Sequence, residues 1–209
     1  MDRDWQAEAR RAAAARQRFQ DMAVRSVPMP KMVEQAKRLG LHVDRELAQL
    51  DEGELAYAFD LAIYTAPPGR SRAIDRIARQ HARLRGEAVL VLNALTRSWL
   101  SVFRVLGPHP DAGLVLEDAL LGGEVWVLDE VLAEHEAPGT ILGARLGRVL
   151  GYAITSGVAV ALDEMTLAGL KGTITRGEVE AEAVLADPRF AQTLWQRAMG
   201  FSLAGGSML

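Results

Sequence analysis

Residues 99–130 read WLSVFRVLGPHPDAGLVLEDALLGGEVWVLDE, and the fold of the chain turns on them. Before Trp99, apolar residues recur every three or four positions, the rhythm of amphipathic helices. After Ser101 the rhythm becomes two: Val102 and Arg104 alternate with Phe103 and Val105, placing successive side chains on opposite faces of a strand. Turn residues then recur at Gly107 with Pro108, Gly113, Gly122 with Gly123, Pro138 with Gly139, Gly151 and Gly157. They bound strand candidates at 114–117, 124–128, 140–146 and 152–160. Gly122 and Gly123 suit a tight hairpin, and Pro138 with Gly139 suits a type II turn. Short strands so closely spaced are best accommodated by closing on themselves, which hides their edges.

Working outward, the preceding residues read as helices. Trp5, Ala12 and Phe19 repeat every seven positions, with Ala15 and Met22 beside them, so one face of the first helix is apolar and lined with small alanines. That face suits packing within the chain or against a second copy, the route by which an oligomer would form. Pro30 opens a segment ending at Gly40, with Met32, Val33, Ala36 and Leu39 as its apolar stripe. Asp51 with Glu54 forms a helix-start pair ahead of Leu55, Phe59, Ala62 and Ile63. Ser71 caps a segment expected to run to about Leu100, with an interruption at Gly86. After the strands, Asp187 and Pro188 start a helix with Phe190, Ala191, Leu194, Trp195 and Ala198 on one side. The expected fold is α+β: a helical region at 1–98, a small antiparallel β-barrel at 99–162, and a C-terminal helical segment at 163–209 with a frayed tail from Ala204.

Within the first hundred residues, Arg72, Arg76, Arg79 and Arg83 fall in one arc of a continuous helix. Such a stripe is either a solvated face or a contact for an acidic partner, phosphate included. Charge division sharpens the choice. Residues 1–100 hold 17 Lys and Arg against 13 Asp and Glu, while residues 101–209 hold 7 against 14. The acidic half is an available internal partner for the basic one. Residues 101–162, with 3 Arg and 8 acidic residues, would repel a phosphate chain, so Phe103, Trp126 and Tyr152 are expected in the core rather than on a base-stacking surface.

Chemistry is constrained by composition. The 209 residues contain no cysteine, which excludes disulfides, thiolate metal sites and thiol nucleophiles. No phosphate-binding loop, dinucleotide fingerprint, zinc-protease motif or nucleophile elbow occurs. His42, His81, His109 and His135 stand at no mutual ligand spacing, and Glu134-His135-Glu136 reads as a surface edge. Glu117, Asp118, Asp129 and Glu130 are the acids that hairpins could bring together for hydrolysis or Mg²⁺ binding. Ser156 follows Thr155 as a turn hydroxyl with no histidine near it in sequence. Aliphatic runs fall far short of the roughly 20 residues needed to span a bilayer, and the first twenty residues lack an apolar signal core. A cytoplasmic protein with no membrane association is expected.

The stretch from Trp99 to about Leu162 resembles a β-rich segment of uncharacterised bacterial proteins, some of which are similar to proteins carrying a SEC-C motif. The matching features are the hairpin from Leu116-Glu117-Asp118 to Leu121-Gly122-Gly123-Glu124 and the Pro138-Gly139 turn before Ala144-Arg145-Leu146. The cysteine-rich SEC-C element is absent, so the resemblance implies an architecture and a bacterial origin, with no zinc site and no activity. The sequence therefore points to a non-catalytic interaction or adaptor protein that needs no cofactor or metal. Its alternatives are a nucleic-acid-associated protein using Arg72, Arg76, Arg79 and Arg83, and a carboxylate or metal-dependent hydrolase.

Overall fold

The computed structural model describes residues 4–43, 47–67, 69–177 and 179–200. Its architecture is α+β, with helices α1 (Trp5–Arg25), α2 (Met29–Arg38), α3 (Glu52–Tyr64), α4 (Ala73–Gln80) and α5 (Glu87–Thr96) leading into the sheet. There follow β1 (Trp99–Pro108), β2 (Leu114–Asp118), β3 (Glu124–Val127), α6 (Glu130–His135), β4 (Ile141–Val149) and β5 (Tyr152–Leu162). The helices α7 (Glu164–Arg176), α8 (Ala181–Ala186) and α9 (Pro188–Ala198) complete the described order. The tail from Ala204 lies outside the described residues.

Local chemistry explains the boundaries. The Asp4 carboxylate accepts from Ala7 N at 2.9 Å and starts α1. Asp51 and Glu54 cap α3 reciprocally, each accepting from the other's backbone N–H. Two expectations need correction. The segment from Ser71 is interrupted at Gly86 as expected, where φ 72° is a left-handed geometry that suits glycine, but its first helix already ends at Gln80 and its second at Thr96 rather than near Leu100. Arg72, rather than Ser71, occupies the cap position of α4, where its N–H donates to Asp75 Oδ2 at 3.2 Å. Glu134 and His135, read as a surface edge, are exposed and close the short helix α6, which Asp129 caps through Leu132 N.

The five strands pair in the cyclic order β1-β2-β3-β5-β4. Strand β1 is antiparallel to β2 and β4, β2 to β3, and β4 to β5. The expectation of a wholly antiparallel sheet fails at β3 and β5, which run parallel and meet through Val127 and Ala153. Parity requires it: a cycle of five cannot alternate in direction all the way round. The hairpin glycines behave as expected, Gly122 and Gly123 at φ 78° and 85° and Gly139 at 91°.

Alternation along β4 divides its side chains between two environments. Leu142, Ala144 and Leu146 join Phe103, Leu116 and Val127 in the cluster enclosed by the strands. Gly143, Arg145 and Gly147 face the opposite way, toward the helices. A second cluster joins α2, α3 and α9 to the outer side of the sheet, and a third packs α1 against α4, α5, Tyr152 and Ile154. The alanine-lined face of α1 is thus occupied within the chain, with Ala12, Phe19 and Ala23 buried. Of the aromatics expected in the core, Phe103 and Tyr152 are buried, while Trp126 is half-buried and stacked on His109.

Close helix–sheet approach depends on the outward glycines. A Cβ at Gly147 would lie 2.5 Å from the Ala94 carbonyl oxygen on α5, whereas one at Gly143 would meet the Leu194 side chain at 2.9 Å. Gly147→Ala should therefore lose about 1–3 kcal/mol of unfolding free energy in urea. Gly143→Ala should lose less, because a leucine tip can rotate, and Gly151→Ala, with nothing within 4 Å, should stay near wild type.

Candidate functional site

The helix-facing alternation of β4 delivers one charged side chain into the interior. Arg145 meets Asp60 on α3 in a two-point contact, Nε to Oδ1 at 2.9 Å and Nη2 to Oδ2 at 3.0 Å, with side chains 7% and 0% exposed. Trp195 Nε1 on α9 donates to Asp60 Oδ2 at 3.1 Å. The guanidinium also lies 4.6 Å from the centre of the Tyr64 ring, an added attraction for a desolvated cation. Tyr64 Oη accepts from Gln20 Nε2 at 3.1 Å, and the same amide donates to Ser156 O at 2.7 Å, tying in α1 and β5.

Electrostatics act on two members of this cluster. Burial works against the Arg145 cation, but the Asp60 carboxylate outweighs it and the guanidinium is held above its ordinary range. Burial, reinforced by the Asp60 charge, pushes the Tyr64 phenol up, so it stays protonated.

Two cavities flank the pair. The larger, about 530 Å³, has Arg145 and Tyr64 in its wall together with Arg70, Arg72, Trp99 and the start of α9. The smaller, about 370 Å³, has Asp60 and Gln20 in its wall together with Arg16, Ser156 and the apolar side chains Val24, Phe59, Ile63 and Val158. Both volumes fall in the range of small-molecule sites.

The arginines expected to form a stripe separate into two kinds. Arg72 is committed internally, its Nε and Nη2 gripping Asp75 at 2.8 and 2.7 Å while Nη2 also reaches the Thr96 carbonyl. Arg76 donates to Ser71 O and Ser26 Oγ. Arg79 is exposed, donating to Ser71 Oγ at 2.8 Å, and Arg83 is exposed on the turn after α4 rather than on the helix. Burial alone would raise the Asp75 carboxylate, but its bonds to Arg72 prevail and hold it below its usual range.

The four acids are not brought to one place. The register pairs Glu117 with Glu124 and Leu114 with Val127, so Asp118 and Asp129 lie at opposite ends of the β2–β3 hairpin. Asp118 is buried and accepts from Ser101 Oγ, Trp99 Nε1 and the backbone of Leu120 and Leu121. Asp129 caps α6 and accepts from Thr155 and Arg16, and Glu130 pairs with Arg10 at 3.5 Å. Among the described residues, no three His, Asp or Glu side chains are placed to hold a metal ion. No helix among them is long and apolar enough to cross a membrane.

The central group, Asp60, Tyr64, Arg145 and Trp195, escaped the reading of the sequence. Its signal was a lone charge in an apolar run: Asp60 in FDLAIY and Arg145 in LGARLG. Such a pair identifies itself only once both members are in space.

Removing one partner of a buried pair leaves an uncompensated charge. Asp60→Asn should cost about 3–5 kcal/mol in chemical denaturation, whereas Asp60→Leu combined with Arg145→Met should recover most of the loss. Asp75 gives a pH signature. A depressed carboxylate contributes stability that is complete above its unfolded pKa, near 4, and is lost as pH falls through the lower folded value. Arg72→Gln should flatten that acid limb in a Tm-versus-pH series.

No curated protein and no solved structure matches this chain. One family model matches residues 14–174, a span that runs from α1 into α7 and contains Arg16, Gln20, Asp60, Tyr64, Arg145 and Ser156, while Trp195 falls beyond it. By that match the chain belongs to DUF7986, a family of unknown function.

Proposed function

We propose that this chain is a non-catalytic interaction protein whose contact surface is the basic turn joining α4 to α5, and whose partner presents acidic protein side chains. The observation that carries this reading is the division among the arginines. Arg72 is neutralised by Asp75, whereas Arg79, Arg83 and Arg85 are exposed and, among the described residues, none of the three pairs with a carboxylate. Clustered guanidinium groups with open donor edges attract carboxylate or phosphate oxygens. An acidic protein is favoured over nucleic acid because, among the described residues, no aromatic ring stands with the strongly exposed apolar side chains, which leaves no stacking platform for bases there. The cyclic strand order supports reading the sheet as a small barrel that serves as a rigid scaffold.

Fluorescence anisotropy with a labelled oligoglutamate peptide and a labelled single-stranded DNA, each across a salt series, tests this directly. The peptide should bind at low salt and weaken as salt rises, and the triple variant Arg79→Gln, Arg83→Gln, Arg85→Gln should lose about tenfold or more in affinity. Equal peptide binding by wild type and variant would refute the surface. DNA binding tighter than peptide binding, and lost in the same variant, would transfer the assignment to nucleic acid.

A further inference from the structure

Around the smaller cavity stand polar groups that the described residues do not satisfy. Ser156 is 4% exposed, yet among the described residues its hydroxyl oxygen has no hydrogen-bond partner, and Arg16 Nε is likewise sealed and without one. Unmade hydrogen bonds at buried groups are costly and rare. Two of them on residues lining one cavity indicate a place prepared for an acceptor that the chain does not supply.

Arg16 is held from its other side. Its Nη1 donates to Thr155 Oγ1 at 3.0 Å and approaches Asp129 Oδ2 at 3.4 Å. Among the described residues all its hydrogen bonds leave from Nη1, so the Nε–Nη2 edge, whose parallel donors match the two oxygens of a carboxylate, is left without an acceptor. The strand is bulged at this point: Thr155 to Ala159 on β5 stand opposite Leu146 to Ala144 on β4. Gly157, within the bulge, takes φ 84°, and a Cβ there would sit 3.4 Å from Arg16 Cζ. Bulges re-aim strands beside functional sites, and the glycine leaves the guanidinium face uncovered.

The remaining wall selects the ligand. Val24, Phe59, Ile63 and Val158 are apolar, while Asp129 offsets part of the Arg16 charge and the exposed rim carries one further carboxylate, Asp21, and one further guanidinium, Arg25, which balance in net charge. The partly offset Arg16 is thus matched to one negative charge rather than two. We propose that this cavity binds a small monocarboxylate with an apolar body. The carboxylate seats on the Arg16 Nε–Nη2 edge and the Ser156 hydroxyl, both of which a small shift of the Gly157 bulge uncovers, and the body lies against Phe59 and Ile63.

Calorimetric titration of the full chain with octanoate tests the site, with 1-octanol, octyl phosphate and acetate as comparison probes. Octanoate should bind about tenfold or more tightly than each of the others, since a charged hydrogen bond contributes on that order. Arg16→Gln should weaken octanoate by at least the same factor and leave octanol unchanged. Ser156→Ala should act with opposite signs on two readouts: the ligand-free Tm rises because the unmet hydroxyl is gone, and octanoate affinity falls several-fold. Octanol binding as tightly as octanoate, octanoate affinity unaffected by Ser156→Ala, or no octanoate binding at millimolar concentration would each overturn the proposal. The serine variant decides the matter even if Arg16→Gln fails to fold, and none of these residues belongs to the basic turn, so the two readings fail independently.

Discussion

Two opposite charges removed from water, Asp60 and Arg145, set the terms on which the rest of the molecule is assembled. Neither ion could remain inside without the other, because desolvating a lone carboxylate or guanidinium costs several kcal/mol even after relaxation. Compensation demands geometry as well as charge: two parallel hydrogen bonds, a third donor from Trp195 and the π-face of Tyr64. Those partners come from α3, β4 and α9, and the Tyr64–Gln20 link extends the set to α1. A single buried pair therefore fixes the orientation of helices drawn from both ends of the chain. Apolar contacts alone would tolerate sliding, whereas a forked hydrogen-bonded pair does not.

The sheet meets that demand through its alternation. Because side chains on β4 point alternately inward and outward, the arginine can face the helices while Leu142, Ala144 and Leu146 fill the space between strands. Flanking the arginine with Gly143 and Gly147 removes side chains where α9 and α5 approach. The same outward side carries the bulge of β5, opposite Arg145, that leaves Ser156 and Gly157 beside Arg16. Structure and prospective ligand site share one cause, the need to turn a strand around a buried charge.

Much of the architecture was legible before any coordinates. The change of rhythm near Ser101, the paired glycines at 122 and 123 and the Pro138-Gly139 turn are local signals, each forced by backbone sterics within a few residues. The capping pair Asp51 and Glu54 was equally readable, since its partners are three positions apart. Less legible was the end of α4, where a favourable arginine periodicity continued past the point at which the chain turns. Helical spacing records which residues could share a face, and says nothing of whether the helix persists. The short helix that holds Glu134 and His135 was not legible for a related reason: six residues are too few to display a helical period.

The sequence by itself determined the α+β class, most strand positions, the helix caps and the absence of thiol chemistry, because these depend on residue type and on neighbours within about one turn. Tertiary structure alone decided which charges are architectural and which stay at the surface. Asp118 and Asp129 became hydrogen-bond hubs, Arg72 became a helix-cap partner, and Asp60 and Arg145 found each other across 85 positions. Electrostatic cost depends on burial and on partners in space, and a linear string specifies neither. The direction of the β3–β5 pairing was likewise settled only by closure, since parity around five strands is a property of the whole sheet rather than of any segment.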